Sequence, residues 1–122
     1  MQILLSITLL LGANAFESTW TQANAAYEAR DYAAAANAYE QLVASGVADA
    51  AVFYNLGNAY YRDGRLGPAI VNYERALSLE PGLEAARENL AQAVRQTERR
   101  LARPVAAGWR QSLLFWDTAL PP

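Results

Sequence analysis

The fold of this chain is decided by a stretch near its middle, which begins Phe53-Tyr54-Asn55-Leu56-Gly57-Asn58-Ala59-Tyr60 and continues through Ala69, Tyr73 and Ala76 to Pro81. Large apolar side chains recur there every three or four residues, which is the spacing of one face of an α-helix. Gly64 is suited to a left-handed turn in the middle of the stretch, and Pro81 ends it. The stretch therefore predicts two helices joined by a short turn, with Gly57 and Ala69 small enough for a close approach.

The same pattern recurs on both sides of this stretch at an interval of about 34 residues. Tyr39 and Tyr73 occupy equivalent places in successive units. Asn24, Asn58 and Gln92 follow one another at the same interval. A period of this length, with two helical segments in each unit, is typical of a helical repeat protein.

The middle unit resembles the tetratricopeptide repeat, because it matches that pattern at Phe53, Leu56, Gly57, Tyr60, Ala69, Tyr73, Ala76 and Pro81. The first unit departs from the pattern, since it has Gln22 in place of Leu and Arg30 in place of the turn glycine. The resemblance implies an all-α solenoid of helix-turn-helix units. We expect about two and a half repeats, at about 16–49 and 50–83, closed by a C-terminal capping helix at about 84–103, with helices near 17–29, 33–45, 50–62, 66–79 and 83–102.

The composition excludes most catalytic chemistry. The chain has no cysteine and no histidine, and all ten of its basic residues are arginine. Disulfides, thiol catalysis, Ser-His dyads, lysine Schiff bases and nearly all zinc or haem sites are therefore excluded. The twelve acids are scattered, and none forms a pair beside an apolar pocket. With a net charge of −2, we predict a protein that is not an enzyme, needs no cofactor or metal and binds no nucleic acid.

The first fifteen residues have the pattern of an export signal. Residues 3–11 are uncharged and mostly apolar, a run that suits a signal peptide but is too short to span a bilayer. Ala13 and Ala15 form a small-x-small cleavage site. We expect cleavage after Ala15 and an exported chain that begins at Phe16. The alternative is that residues 1–15 are the ordinary start of a buried helix.

The first helix of each repeat carries the candidate binding residues. In proteins that this chain resembles, these helices line a groove that holds an extended peptide or a partner helix. Amide side chains can donate to and accept from a peptide backbone, and aromatic rings offer apolar area at a low entropy cost. The candidates for a partner-binding groove are Trp20, Asn24, Tyr27, Tyr54, Asn55, Asn58, Tyr61, Arg62, Gln92 and Arg95.

Other interpretations of these residues remain open. The alternative for Tyr54 and Tyr61 is that they pack against the capping helix. The alternative for the side-chain amides of Asn24, Asn58 and Gln92 is that they form a solvated face. Tyr32, Tyr39, Tyr60 and Tyr73 are expected in the core. One subtype is excluded: Asn24 and Asn55 fall on the asparagine places of a carboxylate clamp, but its cationic places hold Trp20, Ala85 and Asn89.

The C-terminal segment, residues 104–122, differs in character from the repeats. Arginines accumulate from Arg87 to Arg110 and are followed by Leu113-Leu114-Phe115-Trp116. Basic residues followed by Trp, Leu and Phe suit a membrane interface. The alternatives are a tail that folds back on the repeats and, for the arginines, a solvated face of the cap.

The whole arrangement resembles the BatE-type exported proteins of bacterial aerotolerance operons. Three stretches carry this resemblance: Tyr54-Asn55-Leu56-Gly57-Asn58-Ala59-Tyr60, Gly64-Arg65-Leu66-Gly67-Pro68-Ala69-Ile70 and Tyr73-Glu74-Arg75-Ala76-Leu77. This resemblance implies a location in the periplasm or at the outer face of the inner membrane, with von Willebrand A-domain proteins as partners. The leading hypothesis is a non-catalytic scaffold that binds a protein in its groove. The second is an envelope complex organiser that acts through its C-terminal segment, and the third is a glycosidase-like enzyme.

Overall fold

The described part of the chain is an all-helical stack. The computed structural model describes residues 2–102, with side chains from Gly12 onward. Those residues form five helices: α1 (Gln2–Glu28), α2 (Tyr32–Ala44), α3 (Ala50–Arg62), α4 (Leu66–Leu79) and α5 (Glu84–Leu101). Each helix packs against the next one in the sequence, and α3 also contacts α5. This is the stacking of a helical solenoid, as the period predicts.

The first helix starts much earlier than the expected residue 17. It begins at Gln2 and runs without a break to Glu28, because the sequence offers no proline and the first left-handed residue is Arg30. Among the described side chains, those of residues 12–15 are exposed, and contact with the core begins at Phe16. Within residues 2–102, no helix combines the length and apolar character that are needed to cross a membrane.

Three left-handed residues, Arg30, Gly46 and Gly64, and two aspartates lie at the helix ends. Gly64 has φ 81° after α3, and Arg30 has φ 63° at the equivalent place after α1. The side chain of Asp31 accepts from the backbone N–H of Ala34, which caps α2. Asp49 caps α3 in the same way. The left-handed turn predicted at Gly64 is therefore confirmed, and an arginine takes the equivalent turn in the first repeat.

The core consists of small residues that alternate with tyrosines. Tyr39, Tyr60 and Tyr73 are buried, as expected. A Cβ atom added at Gly57 would lie 2.7 Å from Cε1 of Tyr73, so only glycine fits beside that ring. Tyr32, which was expected in the core, is only half-buried. Its ring meets Tyr27 of the same repeat edge-on at 5.2 Å, and Arg62 of the next repeat lies over it at 5.0 Å.

The last helix closes the stack with a polar outer face. Its buried residues are Ala86 and Ala93, which pack towards α4 and α3. Its exposed residues include Arg87, Glu88, Arg95, Glu98, Arg99 and Arg100, so α5 has the character expected of a cap. Residues 104–122, which carry the predicted membrane contact, lie outside the described residues.

Candidate functional site

Three adjoining depressions form one groove on the face made by α1, α3 and α5. The α1-side depression has a volume of about 210 Å³ and is lined by Asn24, Tyr27, Glu28, Tyr39, Asn55 and Asn58. The central depression, of about 320 Å³, is lined by Tyr27, Tyr54, Asn58, Tyr61, Arg62, Tyr73, Asn89 and Gln92. The α5-side depression, of about 390 Å³, is lined by Tyr61, Gln92, Arg95, Gln96 and Arg99. Neighbouring depressions share residues, so the groove is continuous.

The first helices of successive repeats form this groove because equivalent positions face the same way. A shift of one repeat length carries Asn24 to Asn58 and Asn58 to Gln92, and all three line the groove. Spacings of three and four residues within each helix place neighbouring groove residues on one face. Residues that recur with the repeat period therefore lie side by side on one continuous surface.

A repeated hydrogen bond fixes the orientation of two groove asparagines, Asn24 and Asn58. The Tyr39 hydroxyl donates to Oδ1 of Asn24 at 2.5 Å. One repeat later, the Tyr73 hydroxyl donates to Oδ1 of Asn58 at 2.8 Å. With Oδ1 engaged from behind, the Nδ2 amine of each asparagine is the group left for a partner. Both amides thus offer donors, which suits the carbonyl oxygens of a peptide backbone.

A second contact links the groove to the capping helix. Asn89 donates through Nδ2 to Oδ1 of Asn58 at 2.9 Å and makes a longer contact of 3.4 Å with the Tyr54 hydroxyl. Tyr54 also lies beside the Tyr73 ring, with a centroid distance of 6.2 Å. The floor of the central depression is therefore tied to α3, α4 and α5 at once, so it is preformed in the chain.

Burial raises the pKa of the tyrosines at the floor of the groove. Desolvation raises the pKa of Tyr39 from its usual 10.0 to about 12, and it raises the pKa of Tyr73 as well. It also raises the pKa of Tyr27 on the groove wall. The hydroxyls of Tyr39 and Tyr73 therefore remain protonated donors to Asn24 and Asn58 throughout the physiological range.

The predicted candidates are distributed unevenly over this surface. Nine of the ten line the groove: Asn24, Tyr27, Tyr54, Asn55, Asn58, Tyr61, Arg62, Gln92 and Arg95. Trp20 does not line any of the three depressions. Instead it stacks on Phe16 at 6.0 Å and meets the Tyr39 ring edge-on at 5.7 Å. Its position therefore suits packing of α1 on α2.

Sequence reasoning missed several residues that shape the groove. Asn89 and Arg99 line it but were not among the candidates, and the hydroxyls of Tyr39 and Tyr73 support it from below. A signal for the tyrosines exists in the sequence. Tyr39 follows Asn24 by 15 residues, and Tyr73 follows Asn58 by the same interval one repeat later.

The described residues show no separate site for metal chemistry. Among them, no three histidine, cysteine, aspartate or glutamate side chains lie together in a way that would hold a metal ion. The groove itself is lined by amides, phenols and arginines, with Glu28 as its one carboxylate. These groups can form hydrogen bonds, ion pairs and aromatic contacts with a partner.

Comparison with known proteins agrees with the geometry of the middle hairpin. Residues 50–83, which contain α3 and α4, match the family model of the tetratricopeptide repeat. A search of curated proteins found no match to the chain. Tetratricopeptide repeats commonly mediate protein–protein interactions and are generally non-catalytic. The hairpin α3–α4 thus matches a tetratricopeptide repeat, and the described residues form an all-α solenoid consistent with that fold.

Proposed function

We propose that this chain is a non-catalytic scaffold that binds a peptide or helix of a partner protein in the groove formed by α1, α3 and α5. The observation that carries the proposal is the continuity of the three depressions, with half-buried tyrosines and oriented amides at the centre. Aromatic rings that are already partly ordered lose little entropy when a partner covers them.

The central depression offers two kinds of contact. Tyr54 and Tyr61 provide apolar faces, while the Nδ2 group of Asn58 and the side chain of Gln92 provide polar ones. An extended segment could lay apolar side chains on the rings while its carbonyl oxygens accept from the amides. Specific protein binding commonly depends on a few such central anchors.

The test requires groove variants that leave the core intact. Asn58 is unsuitable, because its replacement would strip the buried Tyr73 hydroxyl of its acceptor. We therefore choose the double variant Tyr61→Ala, Gln92→Ala in the full chain. The control is Gln41→Ala, Val71→Ala, which changes exposed residues of α2 and α4 outside the groove.

Partner proteins would first be recovered from an envelope extract with the wild-type chain and then titrated as purified proteins. The groove variant should bind about thirtyfold more weakly or worse, because a central anchor typically contributes at least about 2 kcal/mol. The control should bind like wild type, and helicity by circular dichroism should be native for both. Native affinity in the groove variant would refute the proposal.

We further propose that the protein acts after export, within a bacterial envelope complex. The support is the apolar run at residues 3–11 and the exposed Ala13 and Ala15 on α1. The resemblance to the BatE-type proteins makes a von Willebrand A-domain protein the first partner to test. Mass spectrometry of envelope-fractionated protein should find an N-terminus at Phe16, whereas an intact N-terminus on cytosolic protein would refute export.

A second candidate function assigns the envelope complex to residues 104–122, which contain the Trp- and Leu-rich sequence. Deleting these residues distinguishes the two functions. Loss of partner binding on deletion, together with native affinity of Tyr61→Ala, Gln92→Ala, would favour the C-terminal segment. Binding that survives the deletion favours the groove.

A further inference from the structure

Most arginines of the described chain already have a partner within it. Arg62 donates to the Tyr32 hydroxyl, Arg87 to Glu84 and to the carbonyl oxygen of Pro81, and Arg100 to the carbonyl oxygen of Gly64. Two more cover aromatic rings, Arg65 over Tyr60 and Arg75 over Phe53. In residues 12–102 three arginines make neither type of contact: Arg30, Arg95 and Arg99.

Two of these three arginines lie together in the groove. Arg95 and Arg99 are one helical turn apart on α5, and both line the α5-side depression with Gln92 and Gln96. The depression contains no carboxylate, because its fifth residue is Tyr61. Two guanidinium groups beside two amide side chains form a pocket rich in donors that suits a carboxylate.

The groove is also polarised along its length. Its acidic residue, Glu28, lines the depression at the opposite end, beside α1. Arg62 lies between the two ends and lines the central depression. A bound segment with a carboxylate at one end is therefore attracted to the α5 side and repelled from the α1 side.

We propose that the groove selects extended partner segments that carry side-chain carboxylates at the end lying over Arg95 and Arg99. This inference rests on the proposed function, since it names the chemistry of the occupant of the same groove. It places the anionic contact on arginines that differ from the positions of a carboxylate clamp, which Trp20, Ala85 and Asn89 occupy here. The oriented amides bind the backbone, and the two arginines set its charge preference and direction.

The experiment is a selection from a random twelve-residue peptide library displayed on phage, with the full chain as bait. Peptides that the wild-type chain enriches should carry Asp or Glu clustered toward one end. Synthetic copies with amidated C-termini should bind the wild type and lose about tenfold or more in affinity against Arg95→Glu, Arg99→Glu. Substituting Arg for the selected acids should restore binding to that variant.

The matched control is Arg30→Glu, which reverses the charge of an exposed arginine that lacks an internal contact but lies outside all three depressions. It should bind the selected peptides like wild type. The single variant Arg95→Glu changes the net charge by the same amount as Arg30→Glu. Equal losses in these two single variants would show only a general effect of net charge and would overturn the inference.

The remaining outcomes separate this inference from the proposed function. Enriched peptides without an acidic bias, whose binding is lost in Tyr61→Ala, Gln92→Ala, would overturn the charge preference while retaining the groove. Selection of no peptide would count against both. Binding of acidic peptides only with a free C-terminus would assign the pocket to a terminal carboxylate. Arginine-dependent binding to phosphatidylglycerol vesicles without peptide binding would assign it to a membrane.

Discussion

At the residue scale, the contact between Gly57 and Tyr73 sets how closely α3 and α4 approach. The Tyr73 ring occupies the space where a side chain at position 57 would begin, and that ring is almost fully buried. The first repeat has Ala23 at the equivalent position and Tyr39 at the equivalent tyrosine. Each repeat therefore sets a size limit at this crossing, and the limit is stricter in the second.

We predict that Gly57→Leu lowers the free energy of unfolding by about 1–3 kcal/mol or more, because the new side chain forces the Tyr73 ring out of its site. Ala91→Leu is the matched control. Position 91 is the equivalent of position 57 in the next repeat but is exposed on α5. Urea unfolding followed by circular dichroism measures both. Equal stability of the two variants would mean that the crossing is not as tight as the structure has it.

The floor tyrosines predict a loss of stability at alkaline pH. The pKa of Tyr39 is raised by burial to about 12, above the 10.0 expected in the unfolded chain, and that of Tyr73 is raised too. The folded state therefore holds protons that the unfolded state releases. This stabilisation is complete below about pH 10 and is lost as the pH rises through about 12.

Urea unfolding at a series of pH values should show this fall, together with tyrosinate absorbance that develops in at least two phases. Tyr39→Phe removes one late-titrating group, so its stability should depend less steeply on pH above about 10. A stability that stays constant up to pH 12 in the wild type would contradict the burial of these hydroxyls.

The sequence predicted these tyrosines as packing residues but not as hydrogen-bond donors to the groove. Periodicity reveals which face of a helix is buried, and Tyr39 and Tyr73 lie on such faces. Whether a buried hydroxyl meets an acceptor depends on distances between two different helices, which spacing along one helix does not contain. The repeated 15-residue separation becomes informative only once the crossing is known.

At the element scale, four of the five helices lie within one or two residues of their expected bounds, while α1 does not. Turns near Arg30, Gly46, Gly64 and Pro81 separate each helix from the next. Residues 2–16 contain no such turn, and apolar residues suit both a signal peptide and a helix. The sequence therefore predicted the end of α1 correctly and placed its start too late.

The length of α1 predicts that its N-terminal half is dispensable for the repeat fold. It has 27 residues against 13 in α2, its packing partner, so it is roughly twice as long at about 1.5 Å per residue. Gly12 has nothing within 4 Å of where its side chain would begin, and residues 12–15 are exposed. We expect a chain that starts at Phe16 to keep its free energy of unfolding within about 0.5 kcal/mol.

A chain that starts at Ala23 is the control, because it also lacks Trp20, whose ring meets Tyr39, and Phe16, which stacks on Trp20. It should lose about 2 kcal/mol or more, since two large aromatic contacts are removed. Thermal melts of the full chain and of the chains that start at Phe16 and at Ala23 measure both effects on stability. A large loss on removing residues 1–15 alone would show that this half of α1 belongs to the fold.

At the scale of the whole molecule, the groove follows from the repeat, while its charge pattern follows from details that the repeat does not fix. Equivalent positions of successive repeats bring Tyr27, Tyr61 and Arg95 to one surface, which the sequence predicted by register. Which arginines are engaged elsewhere depends on local contacts, such as that of Arg100 with the Gly64 carbonyl. Only the folded chain separates such arginines from Arg95 and Arg99.

The most direct test of the central claim is hydrogen–deuterium exchange of the full chain with and without a purified partner recovered from the envelope. Binding in the groove predicts slower exchange in segments of α1, α3 and α5 around Tyr27, Asn58 and Gln92, with α2 and the outer face of α4 unchanged. Protection confined to α2 and α4, or to residues 104–122 with the three groove helices unchanged, would contradict it.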